Sequence, residues 1–182
     1  MRAFLVLLAL SQPLHAETCP APLDQSAAFD RLFDSVRTVG SQLEAEVLSQ
    51  QMWQLWTQAP DAKAQALLDR GMEKRAEIDF IGALESLDAL VAYCPDYAEG
   101  WNQRAFVHFL RQDFPSARED LSMAKSINPR HVGVLTGLAL TYIGLGQNAE
   151  AQDALAEAVE LNPWVKERHL LRAPPPKPGE DL

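Results

Sequence analysis

Apolar residues recur at helical spacing along most of this chain, beginning well before its repetitive part. Phe29, Leu32, Phe33 and Val36 follow the i, i+3, i+4, i+7 pattern, which places one apolar stripe on a helix. Gly40 is well placed to end that helix. The pattern predicts a first N-terminal helix with one face to bury.

A second helix is predicted directly afterwards. Ser41 and Glu44 have the spacing of a capping box, in which a serine and a glutamate satisfy the first free amides of a helix. The apolar stripe of this helix consists of Leu48, Met52, Leu55 and Trp56. The two helices occupy residues 26–58, and a loop around Pro60 follows.

Four positions then recur at one constant spacing. They are small residues at Gly71, Ala105 and Ala139 and at Ala83, Ala117 and Ala151, leucines at Leu87, Leu121 and Leu155, and prolines at Pro95, Pro129 and Pro163. Small residues let two helices cross closely, the leucines lie one turn later on the same face, and the prolines end the second helix. This predicts three helix–turn–helix units at residues 64–97, 98–131 and 132–165, with Asp79, Asp113 and Asn148 as caps of the second helices.

This repeat resembles the tetratricopeptide repeat (TPR), which carries W-x2-L-G-x2-Y, A-x3-F and P with the same period of about 34 residues. Trp101, Ala105, Ala117 and Pro129 match that pattern in the second unit, and Leu138, Ala139, Tyr142, Ala151 and Pro163 match it in the third. The chain departs from the pattern at Lys74 and His108, where an aromatic residue is usual, and at Arg70 and Arg104, where leucine is usual.

The resemblance implies an all-α fold: a right-handed α-solenoid of three TPR units with two N-terminal helices and a C-terminal capping helix at residues 164–171. The two N-terminal helices are expected to stack on the open first unit, since the end of a solenoid needs a cap. Trp56 is then expected in the core between these helices and the first repeat. The alternative is that Trp53 and Trp56 are ligand-binding aromatics.

The N-terminal segment of the chain predicts export. Arg2, the apolar run from Ala3 to Leu10, and the small residue Ala16 have the layout of a signal peptide covering residues 1–16. The apolar run is far shorter than the roughly 20 residues needed to span a bilayer. The interpretation is a periplasmic protein without an integral membrane segment after cleavage, with a flexible leader at 17–25 and a disordered proline-rich tail at 173–182.

Composition and motifs exclude several functions. The net charge of −9 disfavours nucleic acid as a partner. No histidine, cysteine or glycine spacing predicts a metal site, a cofactor site or a catalytic group, so the chain is interpreted as a non-enzyme without cofactors.

The arrangement as a whole also resembles small exported bacterial TPR proteins, whose biochemical roles are generally unassigned. This resemblance covers nearly the whole mature chain.

Cys19 and Cys94 leave two alternatives. They form a disulfide that ties the leader across the N-terminal helices, or Cys94 is a buried small residue and Cys19 is free. A thiol-dependent maturation factor has less support, because no C-x-x-C motif is present.

In TPR proteins the first helix of each unit lines a concave groove that takes a peptide or helix of a partner protein. Carried onto this chain by repeat position, the groove residues are Leu68, Met72, Arg75, Asn102, Phe106, Phe109, Thr136, Leu140 and Ile143. Asn102 is the only one that resembles the clamp by which some members hold chaperone tails, so an apolar partner segment is expected instead. Two alternatives remain: the chain's own segments fill the groove, or the protein is a structural subunit that associates through its convex face or ends.

Overall fold

The computed structural model describes residues 18–172, and within them eight α-helices precede one 3₁₀ helix. The helices are α1 (Ser26–Thr38), α2 (Gln42–Trp56), α3 (Ala62–Ala76), α4 (Phe80–Tyr93), α5 (Ala98–Leu110), α6 (Phe114–Ile127), α7 (Val132–Gly144) and α8 (Asn148–Leu161), and the 3₁₀ helix is Lys166–Leu170. The predicted signal peptide at 1–16 and the tail at 173–182 lie outside the described residues. None of the helices within residues 18–172 combines the length and the apolar character required to cross a membrane.

The all-α fold predicted from the repeat is confirmed. Helices α3/α4, α5/α6 and α7/α8 form antiparallel pairs, and each pair packs on the next. The small residues at the crossings are buried, and at Gly71 a Cβ atom would lie 2.6 Å from Cγ of Leu87. Even alanine would therefore force Leu87 to shift at that crossing, which explains the glycine.

The turns within the units repeat the same backbone conformation. Ile78, Gln112 and Gly146 occupy the same position in the three units, and their φ angles of 64°, 61° and 73° lie in the left-handed region. Asp79 and Asp113 follow the first two, and each accepts a hydrogen bond from a backbone amide of the next helix, as predicted. The prediction for Asn148 is wrong: it is the first residue of α8, and the N-cap Gln147 makes no side-chain capping bond.

The N-terminal helices do not simply cap the first unit. Phe33, Val36 and Met52 form one apolar cluster with Val132 and Val165, at the two ends of the third unit. Two hydrogen bonds make the same connection: Arg130 donates to Asp30 of α1 (2.7 Å), and Asn162 donates to Ser49 of α2 (3.1 Å). The expectation that these helices stack on the first unit is therefore wrong, because the turns around the third unit offer the apolar surface that they bury.

Trp56 illustrates this placement. Its ring stacks on Phe29, with centroids 5.3 Å apart, and on His131, with centroids 4.0 Å apart. The hydroxyl of Tyr97 donates a 2.7 Å hydrogen bond to the Trp56 carbonyl. Trp56 is thus a packing residue, but it lies against the turns that open α5 and α7 and not between α2 and the first repeat.

The C-terminal end and the leader are also fixed. The predicted capping helix at 164–171 is a five-residue 3₁₀ helix, and Gln152 of α8 donates to the carbonyl of Leu170 at its end. Of the two alternatives for the cysteines, the disulfide is present: Cys19 is bonded to Cys94, with Cα atoms 5.2 Å apart. The bridge fastens the leader to the end of α4.

Candidate functional site

The concave face contains an open cavity of about 210 Å³ between α5 and α7. Five predicted groove residues line it: Asn102, Phe106, Phe109, Thr136 and Leu140. Phe106 is 44% exposed, so the cavity opens onto the surface. Repeat position in the sequence therefore correctly predicted that these five side chains lie close together.

The other predicted groove residues lie elsewhere. Leu68 is fully buried in a core cluster with Leu87 and Leu90, against which Ala59 packs, so it is not available to a partner and its assignment to the groove is wrong. Met72 and Arg75 are partly buried on α3, and Ile143 is 42% exposed near the end of α7.

Arg75 links α3 to α5. Its guanidinium lies 4.5 Å from the ring centroid of Phe106 and donates to the side-chain carbonyl of Gln103. Burial lowers the pKa of Arg75, and the nearby Glu99 carboxylate partly opposes that shift. Arg75 thus supports the Phe106 ring from one side and is already bonded within the protein.

The cavity exists because α7 carries glycine where α5 carries long polar side chains. Gly133 and Gly137 occupy the repeat positions of Glu99 and Gln103, one unit later. On α5, Gln103 reaches Arg75 of α3 and also donates a 2.5 Å hydrogen bond to Glu99. The two glycines place no side chain at the corresponding points of α7, which leaves space in front of α5.

A buried polar pair lies beside Asn102 and Gly133 of the cavity wall. Nε2 of His131 lies 2.8 Å from Oε2 of Glu99, and Nδ1 of His131 accepts from the amide of Val134 at 3.3 Å. Because Nδ1 is the acceptor, Nε2 carries the proton and donates it to the carboxylate. Asn102 donates to the same Glu99 oxygen at 3.0 Å, so the single clamp-like residue of the groove is used internally. Burial, followed by the charge of Glu99, raises the pKa of the neighbouring Tyr97.

The groove continues from the cavity toward α2. A second space of about 480 Å³ shares Gly133 and Thr136 with it and is also lined by Trp53 and Trp164. Trp53 is 42% exposed there. Helix α2 therefore forms a wall of the groove without filling the cavity beside α5.

Sequence reasoning missed Gly133, Gly137 and Thr141, which also line the cavity. The signal was visible in the repeat: the residue at a given position changes from polar to glycine, or from valine to threonine, between the second and third units. Within residues 18–172 no group of three or more His, Cys, Asp or Glu side chains is arranged to hold a metal ion.

No family model matches the chain. Two proteins of similar sequence are both described as repeat proteins of the tetratricopeptide type. A TPR repeat-containing protein of Rhizobium etli is 26% identical over 137 residues, which are 74% of this chain and 66% of that protein. The tetratricopeptide repeat protein 36 homolog of Nematostella vectensis is 31% identical over 112 residues, which are 61% of each protein. The chain therefore spans less than two thirds of the length of both relatives.

Solved structures show the same fold. The TPR2B domain of yeast Sti1, in its complex with pHsp70, superposes with a TM-score of 0.57 at 22% identity and covers 61% of this chain and 91% of that one. The first TPR of Spaghetti (RPAP3), bound to the HSP90 peptide SRMEEVD, gives a TM-score of 0.58 at 19% identity, covering 59% and 86%. The repeat period, the stacked helix pairs and the two sequence relatives thus show similarity to tetratricopeptide repeat proteins, and the solved structures show the same fold.

Proposed function

We propose that this protein is a non-catalytic protein–protein interaction module, an adaptor or scaffold, that holds a peptide or helix of a partner in its concave groove. The observation that carries the proposal is the open cavity between α5 and α7, where five of the nine predicted groove residues come together. Its walls are mostly apolar, with Phe106, Phe109, Leu121 and Leu140 among the lining residues, and Phe106 is exposed at its mouth. An apolar concave surface of this kind suits the apolar side chains of a partner segment.

The structural neighbours support peptide binding as the use of this fold. One is a TPR domain in a complex with pHsp70, and another is bound to an HSP90 peptide. In the present groove the polar groups of Asn102 and Arg75 are already used, since Asn102 is bonded to Glu99 and Arg75 is bonded to Gln103. A partner held by apolar side chains is therefore favoured over one held by a terminal carboxylate.

The partner is proposed to be another protein of the bacterial cell envelope, with this chain in the periplasm. The support is the predicted signal peptide at residues 1–16 together with the Cys19–Cys94 bridge, since disulfides persist in oxidising compartments. A thiol-dependent role finds no support in the described residues, where both cysteines are bonded and Cys94 is buried.

A second candidate function is a structural subunit that associates outside the groove. It is favoured by Ile78, which is 74% exposed in the turn before α4, and by Ile81, which is 71% exposed in the first turn of α4. Size-exclusion chromatography with light scattering separates the two candidates. A stable homo-oligomer that dissociates in the Ile78→Ser/Ile81→Ser variant supports the subunit, and a monomer supports the adaptor.

The adaptor is tested by capture of partners from an envelope extract with the purified, oxidised chain. Phe106→Ala removes the exposed wall of the cavity and is expected to abolish capture while the circular-dichroism spectrum stays helical. Met123→Ala is the matched control, because Met123 is an apolar residue of α6 with the same 44% exposure and does not line the cavity. Full capture by a folded Phe106→Ala variant would contradict the proposal.

A further inference from the structure

Phe106 is the most exposed of the residues that line the cavity, and one charged side chain of the preceding unit lies against its ring. The guanidinium carbon of Arg75, on α3, is 4.5 Å from the ring centroid. An exposed aromatic side chain populates several rotamers unless a contact favours one, and a cation over the ring face is such a contact. The orientation of the Phe106 ring therefore depends on what holds Arg75.

Arg75 is held by a chain of buried hydrogen bonds. Its guanidinium donates to the side-chain carbonyl of Gln103, and the amide nitrogen of Gln103 donates to Oε1 of Glu99 at 2.5 Å. Oε2 of Glu99 accepts from Nε2 of His131 at 2.8 Å. Gln103, Glu99 and His131 are all buried, so none of them can turn without breaking a bond that water does not replace.

The repeat itself does not require these polar residues. Glu99 and Gln103 correspond to Gly133 and Gly137 one unit later, and α7 still packs on α6 and α8. Burying polar and charged side chains costs desolvation that small or apolar residues avoid. The buried chain therefore adds something to the second unit that helix packing alone does not need.

The second unit also differs in the groove residue that it presents. Met72, Phe106 and Leu140 share one repeat position on α3, α5 and α7. Met72 and Leu140 are partly buried, whereas Phe106 is 44% exposed. A large ring that projects from the surface has few neighbours, so the contact with Arg75 has a large influence on its rotamer.

We infer that the hydrogen-bonded chain His131–Glu99–Gln103–Arg75 fixes the Phe106 ring in the orientation that is presented to a partner, with Arg75 as the positioning residue. This role rests on the proposed concave-groove function, in which Phe106 contacts the partner. Arg75 and Gln103 do not line the cavity, so they act through Phe106. Ordering an anchor side chain before binding removes the entropy cost of ordering it on binding, which raises affinity without a new contact.

The ring is followed directly by ¹⁹F NMR, with 4-fluorophenylalanine placed at position 106 of the full, oxidised chain. We expect one narrow resonance. Arg75→Met removes the guanidinium and keeps a flexible unbranched side chain, so the resonance should shift and broaden as the ring samples other rotamers. Arg168→Met is the matched control, because Arg168 also lies over an aromatic ring, that of Trp164, outside the network. It should leave the resonance unchanged.

Gln103→Leu tests the buried part of the chain. It removes the acceptor of Arg75 and the bond to Glu99 and leaves the guanidinium in place, and it should change the resonance in the same direction as Arg75→Met. Circular dichroism establishes that each variant is folded, and Arg75→Met decides alone if Gln103→Leu is not. A tie that only joined α3 to α5 would change stability without changing the mobility of the ring at position 106.

An unshifted, narrow resonance in folded Arg75→Met would overturn the positioning role. A change in Arg75→Met with none in folded Gln103→Leu would overturn the part assigned to the buried chain. Affinity for the partner captured with the unmodified chain is expected to fall roughly twofold to fivefold in Arg75→Met, the equivalent of one exposed cation–π contact.

The spectra need no partner, so this role and the proposed function fail separately. If the resonance is insensitive to Arg75→Met while Phe106→Ala abolishes capture, the groove function stands and only the positioning role is wrong. If the resonance responds but Phe106→Ala still captures the partner in full, the proposed function fails, and with it the assignment of Phe106 as the anchor.

Discussion

His131 and Glu99 form a buried hydrogen-bonded pair that joins the start of α7 to the first turn of α5, with Nε2 of His131 2.8 Å from Oε2 of Glu99. The same imidazole caps α7 through the Val134 amide and stacks on Trp56 of α2. One side chain therefore connects the second unit, the third unit and the N-terminal helices.

His131→Ala is expected to lower the free energy of unfolding by about 2–4 kcal/mol, because it removes a helix cap and a hydrogen bond to a buried carboxylate. Chemical denaturation followed by tryptophan fluorescence measures this free energy, because Trp56 leaves its stacked position when the protein unfolds. His169→Ala is the control, because His169 is exposed and its ring bonds to the nearby Lys166 carbonyl. A loss no larger than that of the control would show that the pair is not structurally important.

Arg104 replaces the leucine of the TPR pattern and makes two hydrogen bonds to the carboxylate of Asp120, at 2.8 and 2.6 Å. Asp120 is only 5% exposed. Arg104→Leu introduces the leucine that is usual in the TPR pattern and removes the arginine partner of that buried carboxylate, and removing one partner of a buried ion pair costs about 3–5 kcal/mol. Because Arg104 also reaches the surface and Asp88, we expect a loss near the lower end of that range, measured by urea denaturation.

The reciprocal change tests the cause. In the double variant Arg104→Leu/Asp120→Leu no buried charge is left unpaired, because the Asp88 carboxylate that also loses Arg104 is exposed, so most of the lost stability should return. A double variant as unstable as Arg104→Leu alone would assign the loss to packing around the arginine stem instead.

The repeat period predicted most of the fold because the small residues at the helix crossings allow only one register. Gly71 and Ala105 identify the same point in successive units, and the groove residues follow from them. The path of α1 and α2 was not predictable in this way. Their apolar stripes show that one face is buried, but they do not show that Phe33 meets Val132, which lies far along the chain at the start of the third unit.

The candidate site was predictable to the extent that repeat position determines orientation. Phe106, Phe109 and Leu140 line the cavity for that reason. Leu68 occupies the same repeat position as Asn102 but is buried, because the segment before α3 covers its cluster. The depth of the cavity depends on which side chains are missing at Gly133 and Gly137, and such absences are visible only when successive units are compared.

The Cys19–Cys94 bridge closes a loop with a sequence separation of 75 residues. Reduction is expected to lower the free energy of unfolding by roughly 2–4 kcal/mol, mainly because the unfolded chain gains freedom. Denaturation curves with and without dithiothreitol measure the difference. The Cys19→Ser/Cys94→Ala variant should not respond to the reductant, and an equal response of both proteins would contradict the prediction.

Ile78 and Gly146 occupy the same turn position with nearly equal positive φ angles. This conformation costs a residue with a side chain about 1–2 kcal/mol, whereas glycine adopts it freely. Gly146→Ala should therefore destabilise the protein by about 1 kcal/mol, although its Cβ would meet no atom within 4 Å. Ile78→Gly should change the melting temperature in the opposite direction, and two changes of the same sign would show that the turn is not strained.

The central claim is that a partner protein binds the concave face between α5 and α7. Site-specific photocrosslinking tests it most directly, with p-benzoylphenylalanine placed at position 106 in one protein and at position 123 of the exposed α6 surface in another. After irradiation of intact cells, we predict a discrete crosslinked partner from position 106 and none from position 123. Crosslinking of the same partner from position 123 alone would contradict the claim.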